Sequence, residues 1–93
     1  MSEQPFKPAN ELTFDTVLLD SQRLLKLVRD DKATSICLNL GEVQECDSAG
    51  LALLIEAKRL CKQFNKKLTL VGMPKSIAAL AEFCGVEKML ENV

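Results

Sequence analysis

The chain has 93 residues, enough for one small domain with a single modest core. Its 12 basic and 13 acidic residues nearly cancel, so no overall charge attracts it to nucleic acid or to an anionic membrane. The sequence contains no histidine, tryptophan or tyrosine. Ser-His and Cys-His catalysis are therefore excluded within this chain, and base stacking on single-stranded nucleic acid is disfavoured.

The four cysteines, Cys37, Cys46, Cys61 and Cys84, form no C-x-x-C pair, so we expect neither a metal site nor a cofactor. Most fall at apolar positions of predicted elements, and we interpret them as buried, reduced thiols. Such usage is typical of the cytoplasm. The first ten residues lack the apolar segment of a signal peptide, and no window has the roughly 20 apolar residues of a membrane span. We therefore expect a cytoplasmic protein.

The first third of the chain predicts an N-terminal arm followed by a helix. Residues 1–10 contain two prolines and are expected to be flexible or extended, preceding a domain over residues 11–93. A short edge strand near Phe6 is compatible with these prolines, and residues 11–14 are a second candidate for a short strand. Apolar residues at a helical period predict a helix over residues 17–28. The residues expected on its buried face are Val17, Leu18, Leu24, Leu25 and Val28.

The remaining chain alternates between apolar strands and amphipathic helices. Strands are predicted at residues 35–40 and 67–72, each bounded by glycine. Helices are predicted at residues 48–64 and 75–83, and residues 86–90 form a last helical turn with Met89 and Leu90 packing back. The residues expected on the inward side of the helix over residues 75–83 are Ile77, Leu80, Ala81 and Cys84, and Gly85 is expected to end it in the left-handed conformation. Strand and helix therefore alternate three times. This order predicts an α/β domain with a largely parallel sheet and helices packed on it.

Asp47 and Ser48 lie at the turn between the first apolar strand and the second helix. Either side chain can cap that helix, which is one explanation of the pair. The other is that Ser48 presents its hydroxyl to a partner, as a hydrogen-bond donor or a phosphorylation acceptor. A phosphate would add roughly −1.5 to −2 charges there. Without histidine there is no triad, and Gly50 alone does not make a phosphate loop, so we expect no catalytic site.

The second helix also carries an unexpected apolar pair. A helical wheel predicts that Leu51 and Ile55 lie on the outward side with Ser48 and Ala52, opposite a core stripe. The residues assigned to that core stripe are Gly50, Leu53, Leu54, Ala57, Leu60, Cys61 and Phe64. Two large aliphatic residues one turn apart favour a contact patch. Cover by a neighbouring segment of the chain is the alternative.

The end of the same helix is rich in positive charge. The basic residues there are Lys58, Arg59, Lys62, Lys66 and Lys67. We interpret them as a solvated face that complements the helix dipole. Binding of an anionic ligand is the alternative interpretation.

These motifs together resemble the STAS domain family, which includes the anti-sigma-factor antagonists. The family signature is an apolar strand followed by Asp-Ser/Thr-small-Gly-Leu at a helix start, matched here by residues 35–40 and 46–51. Residues 68–72 resemble the next STAS strand and Phe83-Cys84-Gly85-Val86 the usual ending. The resemblance runs from about Leu12 to the C-terminus. It implies a small, mostly parallel sheet with packed helices, whose N-terminal strand is missing or short here.

Within the family, Gly50-Leu51-Ala52-Leu53-Leu54 and Gly72-Met73-Pro74 resemble the STAS subunit of Mla phospholipid-transport complexes. That resemblance implies a non-enzymatic cytoplasmic subunit, peripheral to the inner membrane through its complex. Such a subunit binds and supports the ATPase of an ABC transporter that maintains outer-membrane lipid asymmetry. It contacts neither nucleic acid nor, directly, the membrane.

The resemblance and the helical wheel together define a predicted partner-binding set. Its members are Asp47, Ser48, Ala49, Gly50, Leu51, Ala52 and Ile55. In the antagonist branch of the family, Ser48 instead matches the serine that an anti-sigma-factor kinase phosphorylates. The alternative function is therefore an anti-sigma-factor antagonist with that kinase as its partner. Cys46 stands where an aliphatic residue is common, so thiol reactivity at the turn is a secondary hypothesis.

Overall fold

The computed structural model describes residues 3–91 and has an α/β architecture. In chain order the elements are β1 (Glu3–Phe6), β2 (Glu11–Leu12), α1 (Val17–Val28), β3 (Ser35–Asn39), β4 (Glu45–Cys46), α2 (Ser48–Gln63), β5 (Lys67–Val71), α3 (Lys75–Phe83) and a closing 3₁₀ helix (Glu87–Leu90). The predicted alternation of strands and helices is confirmed. The pairing of β2 with β4, two strands of two residues each, was not predicted.

A three-stranded parallel sheet with the order β1-β3-β5 forms the centre of the domain. Ile36 and Leu38 of β3 are buried, whereas Cys37 and Asn39, which alternate with them, are half-buried, so one face of the sheet holds the core. β2 and β4 form a separate two-stranded parallel pair. This second pair brings the start of α1 next to the start of α2.

The N-terminal segment is held to the domain. The sequence predicted a flexible or extended arm over residues 1–10, and the structure places residues 3–6 of it in β1, in register with β3. Residues 1 and 2 lie outside the described part of the chain. The domain boundary proposed at residue 11 stays a prediction.

Asp20 of α1 is the polar residue that ties this segment to the helix. Its side chain is buried, accepts a hydrogen bond from the Ala9 N–H at 3.1 Å and pairs with Arg23 at 2.8 Å. Arg23 also donates to the Lys7 carbonyl at 3.1 Å and lies 4.9 Å from the centre of the Phe6 ring. One buried carboxylate thus connects α1 with the chain that follows β1.

The predicted buried face of α1 is wrong at one position. Leu24 and Val28 are fully buried and Val17 and Leu25 half-buried, but Leu18 is 69% exposed. At 100° per residue, Leu18 lies about 120° around the helix from Leu24 and therefore outside the buried stripe.

The end of α3 corrects a second prediction. Ile77 and Ala81 are buried as expected, but Cys84 is exposed because the helix ends at Phe83 and the chain turns away through Gly85 at φ 74°. The left-handed conformation predicted for Gly85 is confirmed. In the last turn Leu90 is buried, whereas Met89 is 51% exposed and does not pack back as predicted.

Gly50 fixes how closely α2 approaches β2. A methyl group at this position would lie 1.9 Å from the Leu12 carbonyl oxygen and 2.6 Å from its carbonyl carbon. Both atoms belong to the main chain, so a side-chain rotation cannot relieve the overlap. Only glycine allows this contact between the start of α2 and the chain that leads into α1.

Replacing Gly50 with alanine is therefore expected to destabilise the domain by about 1–3 kcal/mol, because the backbones must separate. Gly41→Ala is the matched control, since its added methyl meets only the Asn39 side-chain oxygen, at 3.1 Å. The control should change the free energy of unfolding by less than about 1 kcal/mol. Urea unfolding of the wild type and both variants measures this, and equal stability of G50A and wild type would contradict the contact.

Candidate functional site

Asp47 organises the turn at the start of α2. As the N-cap, it accepts a hydrogen bond from the Gly50 N–H through Oδ1, at 3.0 Å. Its second oxygen, Oδ2, accepts from the Phe14 N–H at 3.0 Å, and its own N–H donates to the Leu12 carbonyl at 3.1 Å. The helix cap therefore also fastens the loop that precedes α1.

The same hydrogen bonds set the ionisation of Asp47. The main-chain N–H groups of Phe14 and then Gly50 stabilise the charged form and lower the pKa of this carboxyl below its ordinary value of 3.8. Asp47 is consequently a carboxylate at neutral pH, with both oxygens occupied. Capping fully accounts for Asp47, and this carboxylate is poorly suited to act as a proton donor.

Ser48 is in a different situation from its neighbour. It is the first residue of α2 and is exposed. Within residues 3–91 its hydroxyl makes no hydrogen bond, because Asp47 supplies the cap. The hydroxyl is available to a partner or to a modifying enzyme.

Leu51 requires a correction. The sequence predicted an outward position with Ile55, but Leu51 is only 3% exposed and belongs to the core, while Ile55 is half-buried. The physical reason is its spacing, since Leu51 and Leu54 are three residues apart and share a face of the helix. An aspartate at position 51 would unfold the domain and would not report on binding. In the predicted set, Gly50 is likewise buried, Ala49 and Ile55 are half-buried, and Asp47, Ser48 and Ala52 are exposed.

An apolar groove lies between the N-terminal halves of α1 and α2, and its lining on α2 begins at Ala49, the residue after Ser48. It encloses about 760 Å³. The side chains that line it are Phe14, Asp15, Val17, Leu18, Ser21, Ala49, Ala52, Leu53 and Glu56. Phe14 is 79% and Leu18 69% exposed, whereas Ala49 and Ala52 are too small to fill the space opposite. We call Phe14, Leu18, Ser48, Ala49 and Ala52 the docking surface.

Sequence reasoning missed two of these residues, Phe14 and Leu18. Phe14 was assigned to a short strand, and the observed strand β2 ends at Leu12. Leu18 was assigned to the core stripe of α1. Its angular distance from Leu24 on a helical wheel was the signal that could have placed it outside.

Cys46, just before the turn, does not have the features of a reactive thiol. Burial, and secondarily the charge of Asp47, raises the pKa of this thiol to about 11. Its Sγ donates to the Asp47 carbonyl at 3.4 Å. The thiol is therefore protonated at neutral pH, which argues against the hypothesis of thiol reactivity at the turn.

Neither a metal-binding cluster nor a membrane-spanning helix occurs in the described chain. Residues 3–91 contain no group of three or more potential ligand side chains arranged to hold a metal ion. None of the helices in this part is long and apolar enough to cross a membrane.

The fold is shared with a solved structure, a sulfate transporter family protein from Wolinella succinogenes. The TM-score is 0.76 over 96% of this chain and 71% of that chain, at 18% identity, so this similarity concerns the fold alone. The family model described as "Mlab, STAS domain" matches residues 9–91. The chain therefore belongs to this STAS family.

A curated relative carries a more specific name. The chain is similar to the "Intermembrane phospholipid transport system binding protein MlaB" of Haemophilus influenzae, with 39% identity over 54 residues. The match covers 58% of this chain and 51% of that protein. The chain thus spans about half the length of the curated relative that it matches.

Replacing Asp47 with alanine should lower the melting temperature at pH 7, because the α2 cap and the bond to the Phe14 N–H are both lost. A carboxyl with a lowered pKa stabilises the fold above its unfolded pKa, and this contribution is lost as the pH falls through the folded pKa. The difference in melting temperature from wild type should therefore be constant from about pH 7 to pH 5 and shrink below about pH 4.

Melting curves from pH 7 down to about pH 2.5 measure this difference. Asp31→Ala is the matched control, since Asp31 is an exposed loop carboxylate with no hydrogen bond in the described chain. It should leave the melting temperature nearly unchanged at every pH. If the melting temperature of D47A were still below that of wild type by the same amount at the lowest pH, the role of the charged carboxylate would be contradicted.

Proposed function

We propose that this chain is the STAS subunit of an ABC transporter for phospholipids, and that it binds the ATPase subunit through the docking surface. Family membership and the name of the Haemophilus relative support the transport system. The observation that carries the binding mode is the exposed Ser48 hydroxyl, which makes no hydrogen bond within residues 3–91 and directly precedes Ala49 in the lining of an apolar groove. In this role the chain would be cytoplasmic, peripheral to the inner membrane, and would support the maintenance of outer-membrane lipid asymmetry.

The docking surface has the composition of a protein contact. Phe14 and Leu18 expose large apolar side chains on one side of the groove, and Ala49 and Ala52 leave space on the other. A partner side chain inserted between them would bury apolar area from both helices, which is how most binding free energy arises at interfaces. The Ser48 hydroxyl would then add a directional hydrogen bond at the edge. Asp47, Gly50 and Leu51 support this surface from below.

A binding role is also consistent with the absence of a catalytic base beside Ser48 in the described chain. The carboxylate of Asp47 is held by two N–H groups, and no histidine exists in the chain to activate Ser48. We accordingly propose a non-enzymatic subunit, which alters the ATPase by contact and carries out no chemistry itself.

The second candidate function is that of an anti-sigma-factor antagonist, with an anti-sigma-factor kinase as partner. The observation that favours it is again the exposed Ser48 hydroxyl, which a kinase could reach without unfolding the domain. A phosphate there would add about −1.5 to −2 charges beside Asp47 and the apolar groove. It would weaken an apolar contact while leaving the buried residues in place.

Leu18→Asp tests the docking surface directly. It places a charge in the groove at an already exposed position, so we expect at least a tenfold loss of affinity for the ATPase with a normal melting curve. Leu19→Asp is the matched control, because Leu19 is 65% exposed on the same helix but does not line the groove. Its affinity should stay within about twofold of wild type.

The measurement is affinity capture of the transporter ATPase, quantified by titration. Ser48→Glu, a second variant, should also weaken capture, whereas Ser48→Ala removes only the hydroxyl and should weaken it less. Undiminished capture by L18D and S48E would exclude the docking surface. Phosphorylation of Ser48 by an anti-sigma-factor kinase, together with failure to capture any ATPase, would favour the second candidate.

A further inference from the structure

The two segments that form the groove of the docking surface are acidic. Residues 8–22 and 43–57 include every residue that lines the groove. They contain no lysine or arginine, and all 12 basic residues lie elsewhere in the chain. The acidic residues of these segments are Glu11, Asp15, Asp20, Glu45, Asp47 and Glu56. The net charge of −1 is therefore unevenly distributed, and the segments that carry the docking surface are negative.

We propose that the partner presents a basic segment to the docking surface, with an apolar side chain entering the groove and a lysine or arginine pairing with Asp15. The apolar side chain would supply most of the buried area, and the cation would determine which segment is accepted. The partner is the ATPase of the proposed function, on which this inference rests, and Asp15 is the residue of this chain that selects its basic segment.

Most carboxylates near the groove already have a partner within the domain. Asp20 is buried and pairs with Arg23 at 2.8 Å, and Glu56 pairs with Arg59 at 2.5 Å. The Arg59 guanidinium lowers the pKa of Glu56 and offsets its charge. Asp47 is bound by main-chain N–H groups, which fix its position and leave its negative charge uncancelled.

Asp15 is the lining carboxylate without such a partner. It is exposed and lines the groove together with Phe14 and Leu18. Its side chain makes no hydrogen bond or ion pair within residues 3–91. A cation of the partner would therefore meet an uncompensated carboxylate beside exposed apolar side chains. When the partner covers the groove, water is displaced from this ion pair, and the attraction between its charges becomes stronger.

Asp15 also has a possible structural role, which binding experiments can separate from recognition. It directly precedes Thr16, the N-cap of α1, and a carboxylate near a helix N-terminus is favoured by the helix dipole. That role would be measured as a change in the melting temperature. It would not make the affinity for a partner depend on salt or on the sign of the charge at position 15.

Glu11 and Glu45 extend the negative charge beyond the groove. They are register partners in the parallel pair of β2 and β4, and both are exposed. Neither side chain makes an ion pair in the described chain. Their charges repel each other across the pair, and a basic partner would reduce this repulsion. Because they do not line the groove, they would act at longer range than Asp15, mainly on the rate of association.

The charge of these segments is unfavourable for other occupants. Nucleic acid and an anionic bilayer are themselves negative and would be repelled. A second copy bound through the same surface would place acidic residues opposite acidic residues. Residues 3–91 also contain no group of three or more potential ligand side chains that could hold a metal ion. A basic protein segment with an apolar side chain matches both the charge and the groove.

The test is a titration of the purified transporter ATPase with the full chain at about 50, 150 and 500 mM salt. The wild-type chain should bind at least about tenfold more tightly at the lowest salt than at the highest, because exposed charges are screened. Asp15→Lys should lose at least about tenfold in affinity at the lowest salt, since attraction becomes repulsion. Asp15→Asn, which removes the charge with little change in shape, should lose less.

Two charge-matched controls separate a direct ion pair from the general effect of net charge. Asp31→Lys changes the net charge equally at an exposed loop residue outside the docking surface, and its affinity should stay within about twofold of wild type. Glu45→Lys changes it close to the docking surface but outside the groove lining, so a loss of about two- to fourfold is expected. Melting curves of all variants should stay close to that of wild type, because each substituted residue is exposed.

Leu18→Ser distinguishes a failure of this inference from a failure of the proposed function, because it removes apolar area without changing the charge. If L18S loses affinity while D15K and D31K bind equally well, the docking surface is retained and the basic segment is excluded. Equal losses in D15K and E45K would overturn the pairing with Asp15, and tighter binding of D15K would identify an acidic contact instead. Undiminished binding of L18S would exclude the docking surface itself, and the basic segment with it.

Discussion

The interaction on which the site depends is the contact between the start of α2 and the chain around Leu12 and Phe14. Asp47 accepts from the Phe14 N–H across 33 residues of sequence while it caps its own helix. Gly50 lets the two backbones meet, because any larger residue would overlap the Leu12 carbonyl. Since α1 begins five residues after Leu12, this contact also sets the spacing of α1 and α2 at the groove.

Asp47 and Ser48 therefore have different roles: Asp47 caps α2, and Ser48 exposes its hydroxyl. Sequence alone left open which of them caps α2, since serine and aspartate are equally good N-caps. Once the carboxylate of Asp47 occupies both the helix N-terminus and the Phe14 N–H, the Ser48 hydroxyl has no structural role to fulfil. A substitution at Ser48 can therefore change partner binding while the free energy of unfolding stays the same. A residue of this kind can be tuned or modified while the fold is unaffected.

The long elements were predictable because each carries a periodic pattern and a boundary signal. α2 begins at Ser48 and α3 spans residues 75–83 as predicted, and Gly85 has the left-handed conformation expected of it. The pair of β2 and β4 has two residues per strand, too few for any period to be read. Asp20 was missed because its burial depends on Ala9 and Arg23, and sequence periodicity does not report such partners.

The errors at Leu18 and Leu51 have a common origin, and it concerns function. Each was assigned to a face from the helical period alone, and each lies on the other side of the boundary between core and surface. Because Leu51 is buried and Leu18 is exposed, the large apolar side chain of the site comes from α1 and not from α2. A contact surface on α2 alone would be a single helix face, whereas Leu18 and Phe14 make it a groove with two walls. A groove can enclose a partner side chain, and the sequence did not predict that property.

The charged residues at the two ends of α2 complement the helix dipole. A carboxylate at the N-terminus and lysines toward the C-terminus are what the helix dipole favours. In this domain, Asp47 caps the first turn of α2, and Lys62 lies in its last turn. The same cap leaves apolar surface beside the N-terminus of the helix, at Ala49 and Ala52. The residue that stabilises the start of the helix is thus separate from the apolar residues that would contact a partner there.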